Sequence, residues 1–158
     1  MQNTLLQAPT GDFYFGFVQE RVAKDFLVEE GPVVLRYGFH RGTKGFGALH
    51  IWERHAVELE PHGVETFEDI PNYIARIITG GTDVLCEFDA IRRDPRYIAV
   101  RGALGGAVLE KRFIQEIGLV YSVVSAYPRP RRQGQRVTRI INAPAVNPIP
   151  QGLLAPVP

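Results

Sequence analysis

The chain is poor in the residues that build extracellular or metal-cluster proteins. It has one cysteine, Cys86, in 158 residues, so an internal disulfide is excluded, and so is a site made of several thiolates. That usage fits a reducing compartment. No apolar run approaches the roughly 20 residues that cross a bilayer as a helix, and the first residues, Met1 to Gln7, lack a basic region followed by an apolar one. A soluble chain with no membrane partner is expected. An excess of one charge is also missing. Lys and Arg number 18 against 17 Asp and Glu, so any polyanion site has to be local. No internal repeat or heptad pattern is present.

What is present suffices for one core, since 45% of the residues are hydrophobic. Residues 1–12, with the breakers Pro9 and Gly11, read as a lead-in, and residues 13–128 as a single domain. Phe17, Val18, Val22, Phe26 and Leu27 fall near helical spacing, so the later part of Phe13–Glu30 is expected to be helical, although Phe13-Tyr14-Phe15 could begin a strand. Gly31-Pro32 breaks the chain, and Val33 to Tyr37 reads as a strand. The loop Gly38 to Gly47 follows. A helix is expected over Ala48–Leu59, with Leu49, Trp52, Ala56 and Leu59 as its core stripe. A second helix follows with Thr66 or Asp69 as N-cap and Pro71 early, buries Tyr73, Ile74, Ile77 and Ile78, and ends at Gly80-Gly81. Strands near Val84–Phe88, Arg96–Arg101, Ala107–Ile114 and Leu119–Tyr127 are joined by short turns, which favours antiparallel neighbours. The expected fold is α+β, with N-terminal helices packed on one face of a four- to five-stranded antiparallel meander. Residues 129–158 hold Arg129, Arg131, Arg132, Arg136 and Arg139 and then a proline-rich stretch. They read as an extended basic arm, disordered, wrapped over the domain, or used for self-association.

The candidate chemistry gathers at Lys44-Gly45-Phe46-Gly47-Ala48-Leu49-His50-Ile51-Trp52-Glu53-Arg54-His55. The loop before the helix carries His40, Arg41, Thr43 and Lys44 among glycines, so it can approach an anion closely, or it is a plain surface turn. His50 and Arg54 are four apart and share a polar flank, whereas His55 lies near the core stripe. Five residues separate the histidines, about 140° around the axis, which is poor spacing for a zinc pair. As acid and base they are better placed, because an ordinary pKa near 6.5 suits proton transfer at neutral pH. His55 is equally readable as a packed core histidine. On the last strand Ser125 and Tyr127 point the same way, and Arg101, Lys111 and Arg112 lie on neighbouring strands. Hydroxyls beside guanidinium groups suit a phosphate, and they also suit the polar face of a half-buried sheet.

The order strand, glycine loop, Gly45-Phe46-Gly47-Ala48-Leu49-His50-Ile51-Trp52-Glu53-Arg54-His55, a helix with Asp69-Ile70-Pro71-Asn72-Tyr73-Ile74, and a last strand closing in Val123-Val124-Ser125-Ala126-Tyr127 resembles the barnase/EndoU/colicin/RelE-type nucleases. The branch in phage proteins and in C-terminal toxin domains of bacterial competition systems is the nearest in pattern. Ser125 stands where that family more usually has threonine. The resemblance spans about Val33 to Pro128. It implies a metal-independent endoribonuclease, acting on RNA such as tRNA in the cytoplasm of the producing or a target cell, with no cofactor and with a cognate immunity protein as a candidate partner. His50 would take the proton of a ribose 2′-hydroxyl and His55 or Tyr127 would protonate the leaving oxygen, giving a cyclic phosphate. Arg54, Lys44, Arg41 and the strand arginines Arg101 and Arg112 would bind the charge, and Ser125 would position the phosphate. Two rivals stand beside it. Phe39-His40-Arg41-Gly42-Thr43 resembles the Arg-Gly-Thr string that grips the nicotinamide cofactor in ADP-ribosyltransferase toxins, with Glu110 and Glu116 as nominal glutamates. The other is a phage or secretion-system structural module that does no chemistry.

Overall fold

A computed structural model of the chain describes residues 1–23, 26–87, 95–129 and 134–143. The strand β5 (Gly31–Arg36) is buried at all six positions, the pattern of a strand with neighbours on both sides and cover on both faces. On one edge it pairs in parallel with β11 (Gly118–Tyr127), Tyr121 opposite Val33. From β11 the sheet runs antiparallel through β10 (Gly105–Ile114), β9 (Arg96–Arg101), β8 (Asp83–Glu87), β12 (Gln135–Ile141) and β2 (Gly16–Val18). β2 then pairs back on β5, with Gly16 opposite Val33. These seven strands close a barrel. The short β1 (Leu5–Leu6) adds to β5 beyond β2. Two hairpins stand outside the barrel, β3 (Arg21–Ala23) with β4 (Phe26–Val28), and β6 (Phe39–Arg41) with β7 (Lys44–Phe46).

Two helices, α1 (Gly47–Leu59) and α2 (Ile70–Ile77), close the barrel end at which β5, β9 and β11 finish. Ala48, Ile51 and Leu59 of α1 and Ile70, Tyr73, Ile74 and Ile77 of α2 share one core with the inward residues Leu35, Ala99, Ala107 and Val123. The contacts around that rim are specific. Tyr73 donates its hydroxyl to the Leu104 carbonyl between β9 and β10 (3.0 Å). Thr82 donates to the Ile77 carbonyl (2.7 Å) and so takes one of α2's last acceptors. Gly16 has no room for a side chain, because a Cβ there would lie 3.0 Å from methyl groups of Ile78 and Ile140. In the 3-10 turn Phe67–Asp69 that leads into α2, Asp69 accepts the amides of Glu65 and Thr66 (2.9 and 3.0 Å) in a capping box with Thr66. Those bonds, the Glu65 one foremost, hold its carboxyl below the usual carboxylate range. Cys86 is buried in β8, and burial pushes its thiol up to about 11.

Several expectations are corrected. The sheet is not an open meander under N-terminal helices: β8 to β11 do run antiparallel side by side, but β12 and β5 take up both of their free edges. Residues 13–30 contain no helix among those described. They form β2, β3 and β4, and burial alternates from Phe13 to Val18, the period of a strand. Helical spacing arose by coincidence, because the β3–β4 hairpin sets Val22 opposite Leu27, both largely exposed. The expected arm is β-structure over Gln135–Ile141, where Val137 and Ile140 are fully buried and Arg136 and Arg139 are exposed. That alternation was masked by its arginines. Arg131, Arg132 and residues 144–158 lie outside the described residues. Finally, α2 ends at Ile77 with Ile78 as its cap and no left-handed glycine. Gly81, at φ 94°, shapes the later turn into β8.

Candidate functional site

α1 begins where β5 and the β6–β7 hairpin fold back together. Gly47 makes this possible: its φ is 80°, and a Cβ would lie 2.6 Å from the Arg36 carbonyl and 2.9 Å from Gly38 Cα. The helix consequently has cover on two flanks, β11 on one and the hairpin on the other. This turns its buried face away from the expected stripe. Ala48, Ile51 and Leu59 are fully buried, Leu49, Trp52 and Ala56 only partly, and His50 goes under the hairpin at 7% exposure while Arg54 stays exposed.

Under the hairpin His50 meets His40. Their Nδ1 atoms are 3.0 Å apart and the ring centroids 5.2 Å. One of the two nitrogens has to carry the hydrogen and the other the lone pair. If His50 donates, its Nε2 is a bare base; if His40 donates, His50 Nε2 carries the proton. Gly45 lies opposite His40 in the hairpin and leaves the space for this contact, since a Cβ there would come 2.7 Å from His50 Nδ1. Burial lowers the pKa of His50, and positive charge on His40, His55 and Arg54 lowers it further. His50 is therefore held neutral at pH 7.

A cavity of about 600 Å³ opens beside α1 against the outer surface of β9, β10 and β11. α1 contributes His50, Arg54 and His55, and β11 contributes Ser125 and Tyr127. These five come together as the sequence reading grouped them. A bulge in β11 helps: Val108 pairs with Ser125 but Leu109 with Val123, so Val123 and Ala126 both face the core and Val124, Ser125 and Tyr127 all reach the cavity. The His55 ring lies 5.9 Å from that of Tyr127, and His55 Nδ1 is 3.4 Å from Glu58 Oε1. On the far side of His55 and Arg54 a second hollow, of about 320 Å³, reaches His40. His55 is neither a core residue nor freely solvated, with 15% of its side chain exposed.

Arg96, which sequence reasoning did not assign to a site, also joins the cavity. With Lys111, read from the sequence as one of the strand cations, it adds positive charge, and Glu110, a nominal glutamate of the ADP-ribosyltransferase reading, adds negative. Arg96 Nε is buried without a hydrogen-bond partner, which an anion would supply. Lys111 Nζ is 3.1 Å from Glu29 Oε1. His40 was missed as a partner because Gly38 to Gly47 reads as one glycine loop. The legible signal was the two-residue link Gly42-Thr43 between Phe39-His40-Arg41 and Lys44-Gly45-Phe46, which is hairpin spacing and sets His40 beside Gly45.

The four expected substrate cations do not line this cavity. Arg41 and Lys44 are exposed at the hairpin tip, paired with each other across the turn. Arg101 is at the helix-covered end, donating to Thr82 Oγ1 (3.1 Å). Arg112 lines a different hollow, with Arg36. The Arg41-Gly42-Thr43 string likewise sits at the tip, outside the cavity. Among the described residues no group of three or more His, Cys, Asp or Glu is arranged to hold a metal ion. No helix of the described residues is long and apolar enough to cross a membrane, which says nothing of strands. No protein-family model matches the chain, and no curated protein or solved structure does either.

Proposed function

We propose that the protein is a metal-independent endoribonuclease whose active centre is the cavity between α1 and β11. The observation that carries this reading is the convergence of His50, His55 and Arg54 with Ser125 and Tyr127 on one cavity. Cleavage by a 2′-hydroxyl requires one group to remove a proton, one to supply a proton, and cations for the charge on phosphorus. It requires nothing else. His50, neutral at pH 7, is the base, with its Nδ1–H given to His40 so that Nε2 is bare. His55 or Tyr127 donates to the leaving oxygen, Ser125 positions the phosphate, and Arg54 and Arg96 face its charge. The resemblance noted in the sequence points the same way, but the reading rests on these residues and not on the fold.

The test is incubation of the protein with total tRNA in EDTA, comparing wild type with His50→Asn and His55→Ala. Fragments ending in cyclic phosphate are expected from wild type and are lost in a folded His50→Asn protein. RNA left intact by a folded wild-type protein rejects the ribonuclease, and a module that binds without chemistry takes its place.

A further inference from the structure

The outer face of β10 and β11 carries a second cavity, three residues before Ser125 along β11. It encloses about 260 Å³, and its polar lining is Asn3, Arg36, Arg112 and Ser122. Arg36 is 5% exposed. Its Nε donates to Ser122 Oγ (2.8 Å) and its Nη1 to Asn3 Oδ1 (3.2 Å), and its plane lies over the Phe46 ring at 3.9 Å. Its Nη2 is buried and has no partner. Ser122 is fully buried, and because its oxygen accepts from Arg36, its own hydroxyl proton remains available to donate. Arg112 brings a second guanidinium, tied by Nη1 to Glu110 at 3.1 Å. Two like charges line one cavity, and burial together with Arg112 lowers the pKa of Arg36 to about 10. A structural staple between the N-terminal segment, β11 and the hairpin accounts for Nε, Nη1 and the stacked plane. It accounts for neither Nη2 nor Arg112.

We propose that this cavity is a phosphate-binding site, in which the group is held by Arg36 Nη2, the Ser122 hydroxyl and Arg112. Planar guanidinium donors match phosphate oxygens, and the site has no group that titrates near neutrality, so it holds an anion without transforming it. Its position on the strand pair that walls the candidate active cavity assigns it to a neighbouring phosphate of the same RNA strand. That assignment rests on the ribonuclease reading; the anion site does not.

The experiment uses the full chain. Inorganic phosphate is titrated while the Arg36 Nε–H resonance is followed by NMR, in wild type and in Arg112→Gln, whose partly exposed side chain can be changed without opening the core. A saturable shift at Arg36, weakened about tenfold by loss of one charge-assisted contact in Arg112→Gln, is expected. A ladder of 2′-O-methyl oligoribonucleotides, which lack the attacking hydroxyl and cannot be cut, then identifies the source. A step in affinity at one length, removed by Arg112→Gln together with about 0.7 of the salt slope, makes the occupant an RNA phosphate. Saturable phosphate binding with no step makes it free phosphate. No saturable shift at Arg36 and no step overturns the site. Intact tRNA in the cleavage assay alongside a saturable Arg36 shift rejects the ribonuclease and leaves the anion site standing.

Discussion

Two cavities share the outer face of β10 and β11, and they differ in what their charges can do. At the Ser125 end, the cations Arg54, Arg96 and Lys111 surround two histidines, one of them buried against a third. At the Ser122 end, Arg36 and Arg112, the latter paired with Glu110, stand with a hydroxyl and an amide and with no imidazole. Both can attract a phosphate. Only the first can move a proton at pH 7. Positive charge on this face is thus a poor guide to where chemistry occurs, and the histidine pair is the better one.

The strongest way to break that contrast is His50→Asn. An asparagine amide can still face His40 Nδ1, so the hairpin keeps its anchor, but the imidazole assigned to the 2′-hydroxyl is gone and His55 alone is left of the acid–base pair. RNA cleavage is expected to fall by about 10²- to 10⁴-fold, with the melting temperature little changed. A variant that melts early and loses activity in proportion would make His50 a packing residue, and the two cavities would then be alike.

Gly45→Ala sharpens the contrast with a smaller effect. The added Cβ would collide with the Phe39 carbonyl and lie 2.7 Å from His50 Nδ1, so the hairpin has to shift and the His40–His50 contact opens. Cleavage is expected to drop by up to about 10²-fold, the scale of misplacing a catalytic group without removing it. Phosphate binding at Arg36 should persist. The Arg36 resonance reports the second cavity, and cleavage reports the first. Equal losses in both would show that the hairpin supports the whole face and not the histidine pair.

How much of this was legible follows from which constraints are local. The α1 span, the start of α2 near Thr66 and Asp69, and β8 to β11 follow from period and turn residues, which act over a few positions. Closure of the barrel does not. It depends on β2, three residues long and containing a glycine, meeting β12, whose arginines read as an arm, from opposite ends of the chain. Site residues show the same division. His50, Arg54 and His55 could be grouped because one helix holds them, and Ser125 and Tyr127 because one strand end does. Arg36 was hidden as the last residue of an apolar strand. Its role depends on Ser122, 86 positions away. Lys44, Arg41, Arg101 and Arg112 were grouped with the cavity on charge, and charge carries no information about direction.

The smallest effect is on stability, and its sign distinguishes the cavities again. Burial, then His40, His55 and Arg54, lower the pKa of His50 in the folded protein, while the unfolded chain titrates near its ordinary value of about 6.5. As pH falls below that value the unfolded state takes up a proton that the folded state resists. The unfolded state then binds more protons, so stability is full above about pH 6.5 and is lost as pH falls through the lowered folded value. Arg36, lowered only to about 10, stays charged across this range and contributes no slope. Thermal melts of wild type and His50→Asn between pH 8 and pH 5, within the range about the histidine pKa, should therefore lie close together at the alkaline end and separate toward acid, the wild type losing more. Parallel curves would mean that His50 titrates as freely in the folded chain as in the unfolded one, and its assignment as a base held neutral by its surroundings would fall with them.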